Sequence, residues 1–285
     1  MFRVGCHISI AGKIFKSVDR AKTLGCTAMQ IFSHNPRGWK LSPLSDDDVR
    51  IFRERLDESG IYPLVVHTSY LINLASPDDD LYRKSIDFFK VELERAYTLG
   101  ASFLVTHLGS FKDRDLEFGI KRVTEALNQA LESARQGDVR ILLENTTGSG
   151  STIGSDLCQL RNIINAVKEN NSLGLCFDTC HGFASGYDIR DIQSLDSVIK
   201  KIDRLLGLER LCLIHLNDSK GELGSRLDRH EHIGKGKIGL KGFEIIINHP
   251  SLREIPMILE TPKNSDEDDI NNISIVKGMR RCVSP

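Results

Sequence analysis

Eight short apolar runs recur along the chain, and a helix-like segment follows each one. The runs are FRVGCHIS, AMQIFS, YPLVVH, FLVTHLGS, RILLENT, LGLCFDTC, LCLIHLND and PMILETP. They are mostly continuous rather than alternating in polarity, which is the pattern of parallel strands buried on both faces. Between them the period changes. Tyr82, Ile86, Phe89, Leu93 and Ala96 form one apolar stripe at spacings of four and three, and Leu116, Ile120, Val123, Leu127 and Leu131 form another. For the first of these helices Ser76 is the expected cap, with Pro77 at the first helical position, Asp78 to Asp80 behind it and Gly100 closing the last turn. A further helix is expected to start at Ser45, backed by Asp46 to Asp48. Eight β-α units in 285 residues is about 35 residues per unit, which predicts an α/β fold closed into a (β/α)8 TIM barrel. With no interdomain linker in view, residues 1–285 read as one barrel domain. An open nucleotide-binding sheet has no support, because neither G-x-G-x-x-G nor G-x-x-x-x-G-K-[ST] follows a strand.

Composition narrows the function. Hydrophobic residues are 40% of the chain and charged residues 27%, enough to bury a sizeable core. The net charge is −1, so overall basicity cannot drive binding to a polyanion, and any such binding must come from a local site. Seven cysteines, odd in number and widely spaced, read as thiols of a reducing compartment. No apolar stretch approaches ~18 residues, and the N-terminus reads as a strand rather than a signal segment. A cytoplasmic chain without membrane contact is expected.

In a (β/α)8 barrel the active site lies at the C-terminal ends of the strands. Reading along those ends gives His67, His107, Glu144, Asp178, His181, His215 and Glu260, and the loop after the seventh strand adds Asp228 and His230. One histidine at a strand end is usually a satisfied structural residue. Six of eight strand ends carrying His, Asp or Glu is a different matter. Four carboxylates buried together need cations, and basic residues are sparse at these ends. The pattern predicts a cluster of zinc, manganese or iron ions. Nine donors exceed the usual four of one Zn2+, so two or three ions are expected. Three divalent ions against four carboxylates leave a site of about +2, suited to a phosphate substrate although the chain as a whole is slightly acidic.

The stretches HTSYLINLA (67–75), GLCFDTCH (174–181) and HLNDSKGELGSRLDRHEHIG (215–234) resemble the endonuclease IV family of apurinic/apyrimidinic (AP) endonucleases, within the xylose-isomerase-like barrels. The resemblance covers most of the chain, and all nine donor positions match. It implies three zinc ions, with manganese an alternative at one site. His67 and His107 would hold the first, Glu144 would bridge it to a second held by Asp178, His215 and Glu260, and His181, Asp228 and His230 would hold the third. It implies that Glu144 and Glu260 are the catalytic carboxylates, beside a hydroxide nucleophile, so that no serine or cysteine nucleophile is needed. The implied reaction is cleavage 5′ to an abasic site in duplex DNA, leaving a 3′-hydroxyl and a 5′-deoxyribose phosphate. Trimming of blocked 3′ ends is implied as well, by a monomer.

Residues beside the metal-type cluster fit a nucleic-acid substrate. Arg37 and Trp39 lie in the polar loop SHNPRGWK, and Tyr70 and Leu71 follow His67. An arginine with a Tyr-Leu pair can fill the stack left by a flipped nucleotide, and the resemblance implies this for Arg37, Tyr70 and Leu71 more than for Trp39. Arg229, with Lys220, Arg226, Lys235 and Lys237, brackets Asp228 and His230 as a phosphate contact, although a charge run is usually a solvated face. Gly148 to Gly154 reads as a loop that lets a DNA backbone approach. Cys176, Asp178 and Cys180 share a strand face by alternation, so thiolate ligands are conceivable, yet small buried apolar residues are the blander reading. His7 is expected to support a ligand, while His34, His232 and His249 have no assigned role. One rival reading is a single-metal sugar isomerase or epimerase, which would use only the quartet Glu144, Asp178, His215 and Glu260; a second is a non-catalytic binder that recognises lesions or stores zinc.

Overall fold

The computed structural model describes residues 2–133 and 139–281. Eight parallel strands close into a barrel: β1 (Val4–Ile8), β2 (Met29–Phe32), β3 (Leu64–His67), β4 (Phe103–Thr106), β5 (Arg140–Glu144), β6 (Leu173–Asp178), β7 (Leu211–His215) and, last in the chain, β10 (Met257–Leu259). Each pairs with its neighbours in chain order, and β10 closes the ring between β7 and β1. A two-residue ladder, β8 (Asp218–Ser219) against β9 (His230–Glu231), stands outside the ring in the excursion after β7.

Helices on the outside seal the ring, most clearly where they carry an apolar stripe. Helix Asp79–Leu99 buries Tyr82, Ile86, Phe89, Leu93 and Ala96, and helix Leu116–Ser133 buries Val123, Leu127 and Ala130. Ser45 caps helix Asp46–Ser59 by accepting from Asp48 N, as the sequence predicts. The cap of helix Asp79–Leu99 differs from expectation. Asp78 accepts from Asp80 N and Leu81 N, while Ser76 Oγ accepts from Asp78 N one step earlier. A carboxylate outcompetes the hydroxyl for helical N–H groups because it adds charge to the hydrogen bond. Gly100 ends this helix at φ 75°, a left-handed conformation that only glycine adopts without strain.

The core has two parts. The larger one lies between strands and helices. The smaller one is made of Ala28, Val65, Val105, Leu142, Cys176, Leu213 and Ile258, all fully buried, and fills the inside of the barrel. Space there is tight. A Cβ on Gly5 in β1 would stand 1.7 Å from the Ala28 carbonyl oxygen of the strand beside it. Gly5→Ala is therefore expected to destabilise the barrel by roughly 2 kcal/mol or more, by forcing β1 from β2. A urea midpoint equal to that of the parent would show that the two strands part more easily than this packing implies.

Candidate metal centre

Strand side chains alternate, so a residue two places on faces the same way. Two places beyond each member of the inner plug stand Gln30, His67, His107, Glu144, Asp178, His215 and Glu260. The next layer of the barrel interior is thus built of imidazoles, carboxylates and one carboxamide at the C-terminal ends of the strands. The donors of His181, Asp228 and His230 come from outside this layer. His181 sits in the first turn of helix Thr179–Ser185, whose N-cap is Asp178, and His230 lies in β9.

Three groups of donor atoms result, each within 4.8 Å of one another: His67, His107 and Glu144; Glu144, Asp178, His215 and Glu260; and Asp178, His181 and His230. Glu144 and Asp178 are shared between groups. Asp228 approaches the third, with its Oδ1 3.2 Å from His181 Nε2 and 3.7 Å from His230 Nε2. The structure therefore gathers all nine donors read from the sequence. Asp178 lies within reach of His181 and His230 as well as of the second group, a sharing the sequence reading did not include. A cavity of about 400 Å³ opens onto the cluster, lined by His67, His107, His181, Asp228, His230 and Glu260 with Tyr70 at its side.

The hydrogen bonds behind the ring nitrogens test whether these residues suit a cation. His67 Nδ1 faces the Thr68 carbonyl at 2.8 Å, His181 Nδ1 the Asn145 carbonyl at 3.0 Å, and His230 Nδ1 the Glu260 carbonyl at 2.9 Å. A carbonyl only accepts, so each Nδ1 carries the proton and each Nε2 turns a lone pair inward. Those lone pairs meet carboxylate oxygens: Glu144 at 3.2 Å from His67, Asp228 at 3.2 Å from His181, Asp178 at 3.7 Å from His230. His215 uses the opposite tautomer, donating from Nε2 to Gln30 Oε1 at 2.8 Å and turning Nδ1 toward Glu144 and Glu260. Lone pair against carboxylate is repulsive unless a proton or a metal ion lies between them. His230 Nε2 is buried without a hydrogen-bond partner among the described residues. The donor set fits divalent metal ions, and five imidazole nitrogens favour zinc-type ions over magnesium or calcium.

No lysine or arginine pairs with these four carboxylates among the described residues; their ion pairs are all with histidine. Lys263 lines the cavity but is held by Asp266 and Asp269. The imidazoles thus carry the compensation when no metal is bound. Burial by itself would raise the Glu144 carboxyl, but His107 and His215, with hydrogen bonds from His181 and His215, hold it well below the usual range. Burial opposes charge on His181 too, yet Asp178, Asp228 and Glu144 lift it well above a free imidazole. His215 is lifted likewise against burial, by Cys176, Glu260 and Glu144. His107, with less to offset burial, is lowered.

Several supporting residues were not singled out in the sequence. Asn145 accepts from Asp178 N at 2.6 Å and donates to its carbonyl; Asn217 donates to Asp178 Oδ2 at 2.6 Å and accepts from Glu260 N at 2.7 Å. Both stand next to or near a donor in the runs LLENT and IHLND, which was the available signal. Gln30 donates to Glu260 Oε1 at 2.6 Å, and its signal was a lone polar residue inside AMQIF. Asp218, fully buried, accepts from Ser219, Gly234, Gly236 and Ile238 N at 2.8–3.0 Å. It thereby gathers the two ends of the excursion that carries Asp228 and His230. His7 lies 3.6 Å from Glu260 Oε1, the supporting place expected of it. His232 and His249 bond elsewhere, to Asn272 and Asp196, and His34 is buried beside Glu92 with neither ring nitrogen hydrogen-bonded among the described residues.

Around the mouth, Tyr70 is exposed and stands edge-on to Phe32 at 5.2 Å, with Arg37 exposed and Leu71 half-buried nearby. Trp39 is packed edge-on against Phe88 at 5.0 Å under Lys84, so it anchors its loop rather than projecting from it. Arg229, Arg226, Lys220, Lys235 and Lys237 are all exposed; Lys220 and Lys237 pair with Glu231 and Glu222. Ser149 and Thr152 of the Gly-rich loop line a shallow recess beside His107 and His181. Cys176 and Cys180 are not among the donors of the centre. Cys176 lies in the inner plug and Cys180 lies on helix Thr179–Ser185, not on the strand face proposed for it, and burial pushes both thiols up to about 12.

A closed parallel barrel with this donor set at its mouth belongs to a known class: residues 18–279 match the family model of the xylose isomerase-like TIM barrels. Within that class, the chain is 46% identical over 279 residues to the probable endonuclease 4 of Halothermothrix orenii, covering 98% of this chain and 99% of that one. The crystal structure of endonuclease IV from Thermus thermophilus superposes with a TM-score of 0.87 at 38% identity, covering 97% of this chain and 98% of that one. The chain belongs to the endonuclease 4 family, and so to the nucleases. A D-tagatose 3-epimerase-like protein shares the fold at a TM-score of 0.75 and 20% identity, covering 97% of this chain and 96% of that one.

The charge balance yields a pH test on protein freed of divalent ions. His181 and His215 have folded pKa values above the unfolded value of about 6.5. Their protonation stabilises the fold fully below about pH 6.5, and that contribution is lost as pH rises through the folded values. Glu144 and Glu260 have depressed values, so their contribution is already complete above about pH 4.5 and does not change in this window. Chelated protein is expected to lose urea resistance as pH rises from about 6.5 to 9, whereas metal-loaded protein keeps it. A flat midpoint for the chelated form would dismiss imidazolium compensation.

Proposed function

We propose that this chain is a zinc-dependent endonuclease that hydrolyses the phosphodiester 5′ to an abasic site in duplex DNA. On this reading it leaves a 3′-hydroxyl and a 5′-deoxyribose phosphate and also trims blocked 3′ ends. The observation that carries the reading is the set of imidazoles whose outer nitrogens are committed to oxygen acceptors while their inner lone pairs converge on shared carboxylates. The donor groups suit three ions: the first at His67, His107 and Glu144, the second at Glu144, Asp178, His215 and Glu260, and the third at His181, Asp228 and His230, with Asp178 close by. Such ions, when bound, supply positive charge for a phosphate and lower the pKa of water toward neutrality.

The chain's own residues divide the remaining work. Glu144 is fully buried and belongs to two of the donor groups, so it would help hold either ion as a fixed anion rather than carry a proton. Glu260 lines the cavity. Burial would raise its carboxyl, but His215, with His7 close by, holds it well below the usual range, so it stays ionised and able to accept a proton from an incoming water. Gln30 Nε2 holds Glu260 Oε1, which fixes the direction of the carboxylate. The rim residues Tyr70, Leu71 and Arg37 enter the base stack opposite the lesion, and Arg229 meets a backbone phosphate. An abasic nucleotide costs least to flip into such a cavity because it has no base to unstack.

The quartet Glu144, Asp178, His215 and Glu260 would also serve a one-metal sugar epimerase, and epimerase-like proteins share the fold. Five more donors aimed at the same cavity have no use in that chemistry, and the family places the chain among nucleases. Metal content separates the readings, with about three ions per chain expected for the nuclease and one for the epimerase.

Purified protein is expected to incise a duplex containing one tetrahydrofuran abasic analogue without added Mg2+, and to lose that activity on prolonged chelation. Nitrogen-rich sites hold their ions tightly, unlike Mg2+ sites with few carboxylates and several waters. Full incision by protein whose metal is shown to be gone would overturn the proposal. Glu260→Gln is expected to preserve the fold and lower turnover by about a thousandfold or more, with DNA binding little changed. Near-normal turnover at unchanged metal content would remove Glu260 from the reaction.

A further inference from the structure

Helix Asp79–Leu99 turns one row of side chains, Phe88, Glu92 and Arg95, toward the two loops that carry the rim residues. Glu92 is fully buried. Its Oε2 accepts from Ser33 Oγ at 2.8 Å and its Oε1 from Ser69 N at 3.0 Å, with His34 Nε2 also 3.0 Å from Oε1. Ser33 and His34 open the loop that carries Arg37, and Ser69 directly precedes Tyr70. A further bond joins the loops to each other, from Ser69 Oγ to the Pro36 carbonyl at 2.8 Å. The rest of the row holds the first loop down. Phe88 packs against His34 and Trp39, and Arg95 donates to the carbonyls of Ser33 and Ser42.

A buried carboxylate is expensive, and an apolar residue would fill this space on the helix equally well. Only a polar group with two hydrogen-bonding atoms at its tip can hold a hydroxyl of one loop and a backbone N–H of the other at once. Glu92 is not among the residues lining the cavity or the donors of the candidate metal centre, so the centre does not explain it. We propose that Glu92 is a positioning residue that locks the Arg37 loop and the Tyr70–Leu71 loop into one rigid wedge, and thereby sets how strongly an abasic duplex is preferred over an intact one. The proposal rests on the reading of these loops as the lesion-recognising rim. A wedge fixed before binding loses less conformational freedom on entering the stack than two separate loops would.

The test compares Glu92→Leu, which fills the space without acceptors, with Glu92→Gln, whose amide can accept from Ser69 N and donate to Ser33 Oγ. Trp39 is the single tryptophan, so its acrylamide quenching reports the first loop directly. Glu92→Leu is expected to lower the preference for abasic over intact duplex by about tenfold at one salt concentration, as Tyr70→Ala should, and to raise KM more than it lowers kcat. Trp39 should become more accessible, while metal content and hydrolysis of bis(4-nitrophenyl) phosphate stay at the parent level. Glu92→Gln should restore most of the preference. Parent-like preference and quenching in Glu92→Leu would overturn the proposal, and so would a loss of metal and small-substrate turnover alongside the preference. If Glu92→Leu does not fold, Ser33→Ala, which removes the hydroxyl that Glu92 Oε2 accepts from, decides, with an unchanged preference and unchanged Trp39 quenching counting against the wedge. A parent protein without any abasic preference would instead sink the lesion reading, and the proposal with it.

Discussion

Glu144 is the constraint around which the rest of the site is arranged. It is a fully buried carboxylate whose oxygens face His67, His107, His181 and His215 and no lysine or arginine among the described residues. A carboxylate in that position is tolerable only if positive charge is close. The imidazoles can supply it as protons, and divalent ions held there would supply it instead, so the two would compete for the same lone pairs. That competition also gives meaning to the outer bonds of His67, His181, His215 and His230, whose tautomers are set by carbonyl and carboxamide oxygens. A ring whose outer nitrogen is committed has only its inner nitrogen left to offer.

Holding such a cluster requires a second layer of bonds, and the barrel provides it economically. Asn145, just past β5, holds the backbone N–H and carbonyl of Asp178 at the end of β6, and Asn217, just past β7, joins the Asp178 carboxylate to the backbone N–H of Glu260. Gln30 joins His215 to Glu260 across the mouth. Asp218 performs the same service for the excursion after β7, since four backbone N–H groups from both of its ends meet one carboxylate. The same device recurs at Glu92 beneath the rim loops. Buried acceptors with several donors are costly if left unsatisfied, which makes each of these arrangements close to all-or-none.

The fold was legible because its signals are local. Continuous apolar runs separated by amphipathic helices allow few topologies other than a closed parallel ring, and the ring dictates which end carries the site. The donors at strand ends were legible for the same reason, since strand alternation carries a residue two places beyond the inner plug into the mouth. The errors have local causes as well. Ser76 was expected to cap a helix that Asp78 caps, because both are good caps and only the backbone path separates them. Strand alternation continued past Asp178 puts Cys180 on a strand face, but a helix begins there and turns it elsewhere.

From the sequence alone came the barrel, the order of its strands and the chemical type of each strand-end residue, since these follow from hydrophobic periodicity and the position of polar residues within it. The tertiary structure decided what no period encodes. It brought Asp228 and His230 back from a long excursion to meet His181, set which nitrogen of each ring faces inward, and let Glu144 and Asp178 each serve two groups of donors. It also revealed that Glu92, one charged residue among many on an exposed-looking helix, is buried beneath two loops. Each of these outcomes depends on contacts between residues distant in the chain, and such contacts are chosen by the packing of the whole molecule rather than by any segment of it.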